Sequence, residues 1–196
     1  MISTDPPMSP YLRRWMLFVD GENLTLRAQA LATKNKVTIK PSRQYIPDVF
    51  IWPKRDPRVP LAGDWACQPR AVRAYYYTSM GGDEDKLRGI RAHIKDVGFE
   101  PVVFKKESRT RKTKGVDISL TTDMLSHAYQ NNYDTAILVA GDGDYTPLIA
   151  AVKRLGKNVN VAFFSQDNGL SDAVFFGCDQ FFKLEAVFLR ELGIPS

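Results

Sequence analysis

The chain of 196 residues carries 27 Lys and Arg against 22 Asp and Glu, so its formal net charge at pH 7 is +5. Its hydrophobic fraction of 44% and charged fraction of 25% are those of an ordinary globular domain, and two cysteines with two histidines argue against a structural zinc site. No apolar run approaches the roughly 20 residues of a membrane-spanning helix, and the first residues do not resemble a secretory signal. We therefore expect a cytoplasmic protein that does not bind membranes.

Hydrophobic periodicity predicts strands and helices that alternate along the chain. The predicted strands are 15–20, 71–78, 99–105, 134–140, 158–164 and 180–184, and the predicted helices are 22–33, 83–97, 116–130, 146–155 and 169–176. Strands that recur about every 25 to 30 residues with helices between them favour a parallel sheet covered on both faces. In such sheets, ligands bind beyond the carboxyl ends of the strands, near the point where the strand order reverses.

A proline-rich insertion interrupts this alternation at about 41–69. Six of the 12 prolines lie there, and this density excludes a long helix or a central strand. Trp52 and Trp65 suit either of two roles. They could form a hydrophobic cluster beneath a long loop, which we favour, or a surface on which the bases of a single strand stack beside nearby cations. Those cations are Arg43, Lys54, Arg55 and Arg58.

A basic segment at 105–114 (KKESRTRKTK) accounts for the whole excess of positive charge. It holds six cations against Glu107, so its own net charge equals the +5 of the entire chain. A solvated loop would explain such a run, and so would a surface that contacts the phosphate backbone of a nucleic acid. The candidate RNA-binding residues are Lys105, Lys106, Arg109, Arg111, Lys112 and Lys114.

Several aspartates fall at the predicted carboxyl edge of the sheet. Asp20 ends the first strand, Asp142 and Asp144 follow a later strand, and Asp117 begins a helix. Taken singly, they could be helix caps, turn residues or first-turn acids. Asp123 lies about 120° around the same helix from Asp117, which favours a supporting or capping role. Gathered together, the carboxylates would repel one another unless a cation such as Mg²⁺ or Mn²⁺ neutralised them, which suggests phosphoester chemistry.

Three motifs resemble a known family in order and spacing. LFVDGEN at 17–23, KGVDISLTTD at 114–123 and ILVAGDGDYTPLI at 137–149 resemble the NYN domain of the PIN-like nuclease superfamily, in its LabA-like branch. The resemblance covers about 15–182 and implies an α/β fold, a PIN-like three-layer α/β/α sandwich with a central, mostly parallel sheet. It divides the chain into an N-terminal extension at 1–14 and a single domain at 15–196 that carries the insertion.

The resemblance also implies roles for individual residues. Asn23 matches a polar residue that supports the first acid, and Asp123 matches the second acid of the middle motif. Ala140 departs from the pattern, because many members have Ser there. Four residues match the metal-binding acids of a ribonuclease that depends on Mg²⁺ or Mn²⁺, and together with Asn23 they form the predicted catalytic set: Asp20, Asp117, Asp142 and Asp144.

The resulting hypothesis is a metal-dependent endoribonuclease that hydrolyses single-stranded or looped RNA and leaves a 5′-phosphate and a 3′-hydroxyl. The oligomeric state stays open, a homo-oligomer included. A nuclease-like domain that binds RNA or a protein without cutting is an alternative. A phosphatase of the haloacid-dehalogenase type fits less well, because Glu22 occupies the place of its second aspartate. A dinucleotide-binding dehydrogenase fits poorly, because no G-x-G-x-x-G follows the first strand.

Overall fold

The computed structural model describes residues 14–59, 70–106, 114–165, 169–185 and 188, with the side chain of Lys114 left out. The strands are β1 (Trp15–Asp20), β2 (Tyr45–Ile46), β3 (Phe50–Ile51), β4 (Arg73–Met80), β5 (Glu100–Lys105), β6 (Thr135–Val139), β7 (Asn158–Phe163) and β8 (Gln180–Lys183). The α-helices are α1 (Gly21–Lys34), α2 (Glu84–Val97), α3 (Lys114–Tyr129), α4 (Thr146–Arg154) and α5 (Asp172–Gly177), and a 3₁₀ turn spans Gly143–Tyr145. The predicted alternation of strands and helices is confirmed.

Six strands form one parallel sheet at the centre of the fold, in the order β5-β4-β1-β6-β7-β8. The chain starts in the middle, adds β4 and β5 on one side of β1, and then crosses over to add β6, β7 and β8 on the other. The strand order therefore reverses between β1 and β6. The chain leaves the carboxyl ends of these two strands towards opposite faces of the sheet, which is the place where sheets of this kind form a ligand-binding crevice.

Helices cover both faces of the sheet, and each face has its own hydrophobic cluster. Alternate residues of the fully buried β1 divide between the faces: Leu17 belongs to the cluster that includes α1 and residues of α2, and Phe18 belongs to the cluster of α3, α4 and α5. This division follows from the two-residue side-chain period of a strand. The predicted three-layer α/β/α sandwich with a parallel sheet is confirmed.

Local sequence signals account for the boundaries of α2 and for the start of α4, whereas α5 begins three residues later than predicted, at Asp172. The Asp83 side chain caps α2 by accepting a hydrogen bond from the Lys86 amide at 2.9 Å, and Gly98 ends the helix with a left-handed φ of 112°. Pro147 lies in the first turn of α4, where its missing N–H costs no helical hydrogen bond. None of the helices in the described ranges is long and apolar enough to cross a lipid bilayer.

The first part of the insertion packs onto the face that carries α1. Its strands β2 and β3 pair with each other in a separate two-stranded sheet, so the prediction that no central strand lies there is confirmed for the described residues. Trp52 is only 1% exposed and packs edge-on against Phe99 and Phe188, at ring distances of 5.0 and 5.5 Å. Trp52 is therefore a core residue, and the base-stacking role is wrong for it. Trp65 lies outside the described residues.

Candidate active site at the carboxyl edge of the sheet

Asp20 lies at the end of β1, beside the reversal of strand order, and caps helix α1. Its Oδ1 accepts a hydrogen bond from the Asn23 amide at 3.0 Å, and its Oδ2 accepts one from the Tyr145 hydroxyl at 2.9 Å. The residue is 4% exposed. Burial raises the pKa of this carboxyl to about 6, the two hydrogen bonds lower it in part, and the charges of Asp117 and Glu22 raise it. The cap explanation is confirmed for Asp20, and its role in a metal site stays a prediction.

Asp117 reaches the same place from a different element, the first turn of α3. Its Oδ1 lies 3.1 Å from the Tyr145 hydroxyl, which also contacts Asp20. Burial raises the pKa of the Tyr145 hydroxyl above its ordinary value, and the two carboxylates raise it further. The hydroxyl therefore keeps its proton. Two of the predicted acids therefore lie around one oxygen atom, although they are far apart in sequence.

Asn23 joins the two loops that flank the crevice. Its backbone amide binds Asp20, and its side-chain oxygen accepts a hydrogen bond from the Gly141 amide, 3.1 Å away, directly after β6. The approach at Gly141 is close enough that a Cβ there would overlap the carbonyl oxygen of Gly169 and the ring of Phe163. A glycine is thus required where the loop after β6 turns towards the site.

Asp142 and Asp144 lie on that loop. The Asp142 carboxylate accepts a hydrogen bond from the Asp144 amide at 3.1 Å and caps the 3₁₀ turn. Asp142 is half-buried and Asp144 is exposed. Within the described ranges, no three Asp, Glu, His or Cys side chains lie close enough together to hold a metal ion. The assignment of all four aspartates to one metal site accordingly stays a prediction, and the contacts described here join only Asp20 and Asp117.

Asp123 takes part in a different set of contacts. It is half-buried, and its Oδ2 accepts a hydrogen bond from the Tyr77 hydroxyl at 3.0 Å. Tyr77 lies on β4 and faces α3, so this bond fastens the helix to the sheet. The supporting role predicted for Asp123 stays a prediction.

Three further side chains at this edge were not predicted as site residues. Glu22, in the first turn of α1, accepts a hydrogen bond from the hydroxyl of Ser79, near the end of β4. The same carboxylate oxygen forms an ion pair with Lys106 Nζ at 3.1 Å. The acid directly after Asp-Gly could have signalled Glu22, and the tyrosine after Gly-Asp-Gly-Asp could have signalled Tyr145. Nothing in the sequence distinguishes Ser79.

The basic segment meets the site through Lys106, the first residue after β5. Lys106 pairs with Glu22, and Lys105 is exposed at the end of the strand. Lys114 begins α3, which carries Asp117 a turn later. The predicted RNA contacts Arg109, Arg111 and Lys112 lie outside the described residues.

The donor set suits a small, hard divalent cation. Asp20 and Asp117 are oxygen donors placed around one hydroxyl, and Glu22 adds a third negative charge nearby that Lys106 balances. Mg²⁺ is commonly held by one or two carboxylates, with waters and a substrate phosphate completing its coordination. Burial is the main cause of the raised pKa of Asp20, the charges of Asp117 and Glu22 add to it, and a cation at this place would favour the ionised carboxylate.

Comparison with known proteins agrees with this fold. The family model of the NYN domain matches residues 14–185. A crystal structure of a protein of unknown function from Vibrio parahaemolyticus is similar with a TM-score of 0.64 and 22% identity, over 92% of this chain and 98% of that one. A candidate oxidoreductase from Parabacteroides merdae has a TM-score of 0.33 and 11% identity, over 87% of this chain and 31% of that one, and carries no argument. No curated protein matches the sequence.

Proposed function

Because the chain belongs to the NYN domain family, a PIN-like nuclease family, we propose that it is a metal-dependent endoribonuclease. The observation that carries the proposal is the meeting of Asp20 and Asp117 at one hydroxyl, beside the reversal of strand order. Two carboxylates at that place suit the binding of Mg²⁺ or Mn²⁺. The LabA-like branch, the cytoplasmic location and a homo-oligomeric assembly are parts of the same hypothesis.

Asp20 and Asp117 would hold the cation, and Asp142 and Asp144 would complete the acidic surface from the loop after β6. When bound, Mg²⁺ or Mn²⁺ supplies polarisation of a phosphate oxygen and a water that loses its proton near neutral pH. Asp20 is well suited to hold a cation in a fixed position, because the Asn23 amide and the Tyr145 hydroxyl each bind one of its oxygens. The expected products carry a 5′-phosphate and a 3′-hydroxyl.

The fold also favours an anionic substrate at this edge. Helices α1 and α3 begin here, at Gly21 and Lys114, and α4 begins directly after the 3₁₀ turn that carries Tyr145. The N-terminus of a helix carries partial positive charge, which favours a phosphate group nearby. The net charge of the segment 105–114 adds a sequence-independent attraction for RNA.

The contacts of Glu22 weigh against a phosphatase of the haloacid-dehalogenase type. That mechanism needs a free general acid two residues after the first aspartate. Here the Glu22 carboxylate binds the Ser79 hydroxyl and pairs with Lys106. A carboxylate engaged by these two partners is not free to turn towards a leaving group and deliver a proton to it.

The test is cleavage of single-stranded, hairpin and duplex RNA and of single-stranded DNA, with Mg²⁺, Mn²⁺ or EDTA, followed by mapping of the ends. Asp20→Asn should abolish cleavage. Asp83→Asn is the matched control, because Asp83 also caps a helix and Asn caps equally well. Cleavage that needs the cation and leaves 5′-phosphates supports the proposal. RNA binding without cleavage would favour the regulatory alternative, and an aspartyl-phosphate trapped on Asp20 would favour a phosphatase.

A further inference from the structure

Tyr145 is the residue that brings the two acids of the site together. Its side chain belongs to the core cluster shared by α3 and α4, and the whole residue is 3% exposed. Its hydroxyl lies 2.9 Å from Asp20 Oδ2 and 3.1 Å from Asp117 Oδ1. Core packing holds the ring in one orientation, so the fold sets the position of the hydroxyl oxygen.

Three separate elements converge on that hydroxyl. Tyr145 ends the 3₁₀ turn after β6, Asp20 ends β1, and Asp117 lies in the first turn of α3. Asp20 has a second anchor in the Asn23 amide. In the described part of the chain, Tyr145 is the one hydrogen-bond partner of the Asp117 carboxylate. Without the hydroxyl, nothing described here would hold Asp117 towards Asp20.

Electrostatic repulsion between the two carboxylates makes their shared contact with the Tyr145 hydroxyl necessary. Asp20 is buried and Asp117 lies beside it, so the two carboxylates repel each other when both are ionised, and the half-buried Asp117 side chain can turn towards solvent. A hydroxyl placed between them offers its one proton to both and offsets part of the repulsion. The side chains are thereby kept close before any cation arrives.

We infer that Tyr145 is a positioning residue, which holds Asp20 and Asp117 at the spacing in which both can bind one divalent cation. The inference rests on the metal site proposed above. Hydrogen-bond partners of metal-binding carboxylates typically contribute a factor of about 10 to 100 to metal affinity. Tyr145 acts through the two carboxylates, so its effect appears in cation binding and does not require turnover.

The experiment measures Mn²⁺ affinity by calorimetric titration of the full chain, without RNA. Tyr145→Phe removes the hydroxyl and keeps the ring, so thermal unfolding should show a folded protein. The matched control is Tyr133→Phe. Tyr133 is also buried in this cluster, but its hydroxyl donates to the backbone carbonyl of Met124 at 2.8 Å. Asp20→Asn reports whether the measured Mn²⁺ binds at this site.

We expect Tyr145→Phe to weaken Mn²⁺ binding by about 10- to 100-fold, Tyr133→Phe to leave it unchanged, and Asp20→Asn to abolish it. Wild-type affinity in Tyr145→Phe would overturn the inference and leave the proposed function intact. Equal losses of Mn²⁺ affinity in the two tyrosine variants would also overturn it, because the loss would then follow from removing any buried tyrosine hydroxyl and would not be specific to Tyr145. If the wild-type protein binds no Mn²⁺, the proposed metal site fails and the inference fails with it.

Discussion

Lys106 and Glu22 form an ion pair at the edge of the candidate site, with Nζ 3.1 Å from Oε1 and with side chains that are 25% and 14% exposed. A lysine that charge alone assigned to RNA binding therefore has a partner within the fold. The pair connects the end of β5 to the first turn of α1, next to Asp20.

Lys106→Gln should lower the free energy of unfolding by about 1 to 2 kcal/mol, because it leaves the Glu22 carboxylate without its cation in a half-buried place. Lys105→Gln is the control, since Lys105 is the exposed neighbour at the end of β5 and its loss should change stability by less than about 0.5 kcal/mol. Urea unfolding measures both. Equal stability of the two variants would contradict a structural role for the ion pair.

Neutralising Arg109, Arg111 and Lys112 together should weaken RNA binding without changing the cut sites, because backbone contacts carry no sequence information. Each phosphate contact with a single strand contributes about −0.7 to the slope of log affinity against log salt concentration, so the slope should flatten by about two units. Lys106 is left unchanged because it pairs with Glu22. If the triple variant keeps full RNA affinity and the original salt slope, this segment is a solvated loop that does not contact RNA.

The stability of the cation-free protein should depend on the ionisation of Asp20. The folded-state pKa of about 6 lies above the value of about 3.9 in an unfolded chain, so the folded state binds the proton more tightly. The free energy of unfolding should therefore fall as the pH rises from about 4 to 6, by about 2 to 3 kcal/mol in total, and stay level above pH 6. Urea unfolding in EDTA should show this fall in the wild type and lack it in Asp20→Asn. If the wild type and Asp20→Asn show the same dependence of unfolding free energy on pH, the pKa of Asp20 is not raised in the folded protein.

Asp142→Asn should leave the fold intact, because Asn accepts the hydrogen bond that caps the 3₁₀ turn as well as Asp does. RNA cleavage should fall by orders of magnitude if this carboxylate helps to hold the cation. Circular dichroism checks the fold, and initial cleavage rates check the activity. Unaltered rates in a folded variant would remove Asp142 from the predicted catalytic set.

Trp52→Ala should destabilise the protein by about 3 to 5 kcal/mol, because it empties a large space between Phe99 and Phe188. Trp52→Phe keeps most of the packing and should cost clearly less. Since the indole is 1% exposed, RNA affinity of the folded Trp52→Phe variant should equal that of the wild type. A loss of RNA affinity without a loss of stability would restore the base-stacking role.

Local sequence determined the elements of this protein and the edge at which its acids lie. The run 15–20 is apolar enough to be buried on both faces, and the helix boundaries at Asp83 and Gly98 follow from capping chemistry between close neighbours in the chain. These signals act over a few residues, so they can be read without knowing the fold. The alternation of strands and helices then implied a parallel sheet, and with it the placement of Asp20 and Asp117.

Only the tertiary structure decided which of those side chains meet. Tyr145 and Asp20 are 125 residues apart, and their contact exists because β6 pairs with β1 and the loop after β6 turns across the crevice. The ion pair of Lys106 with Glu22 depends in the same way on the strand order β5-β4-β1. Such contacts are set by the packing of distant elements, and no pattern within a short window of sequence encodes them.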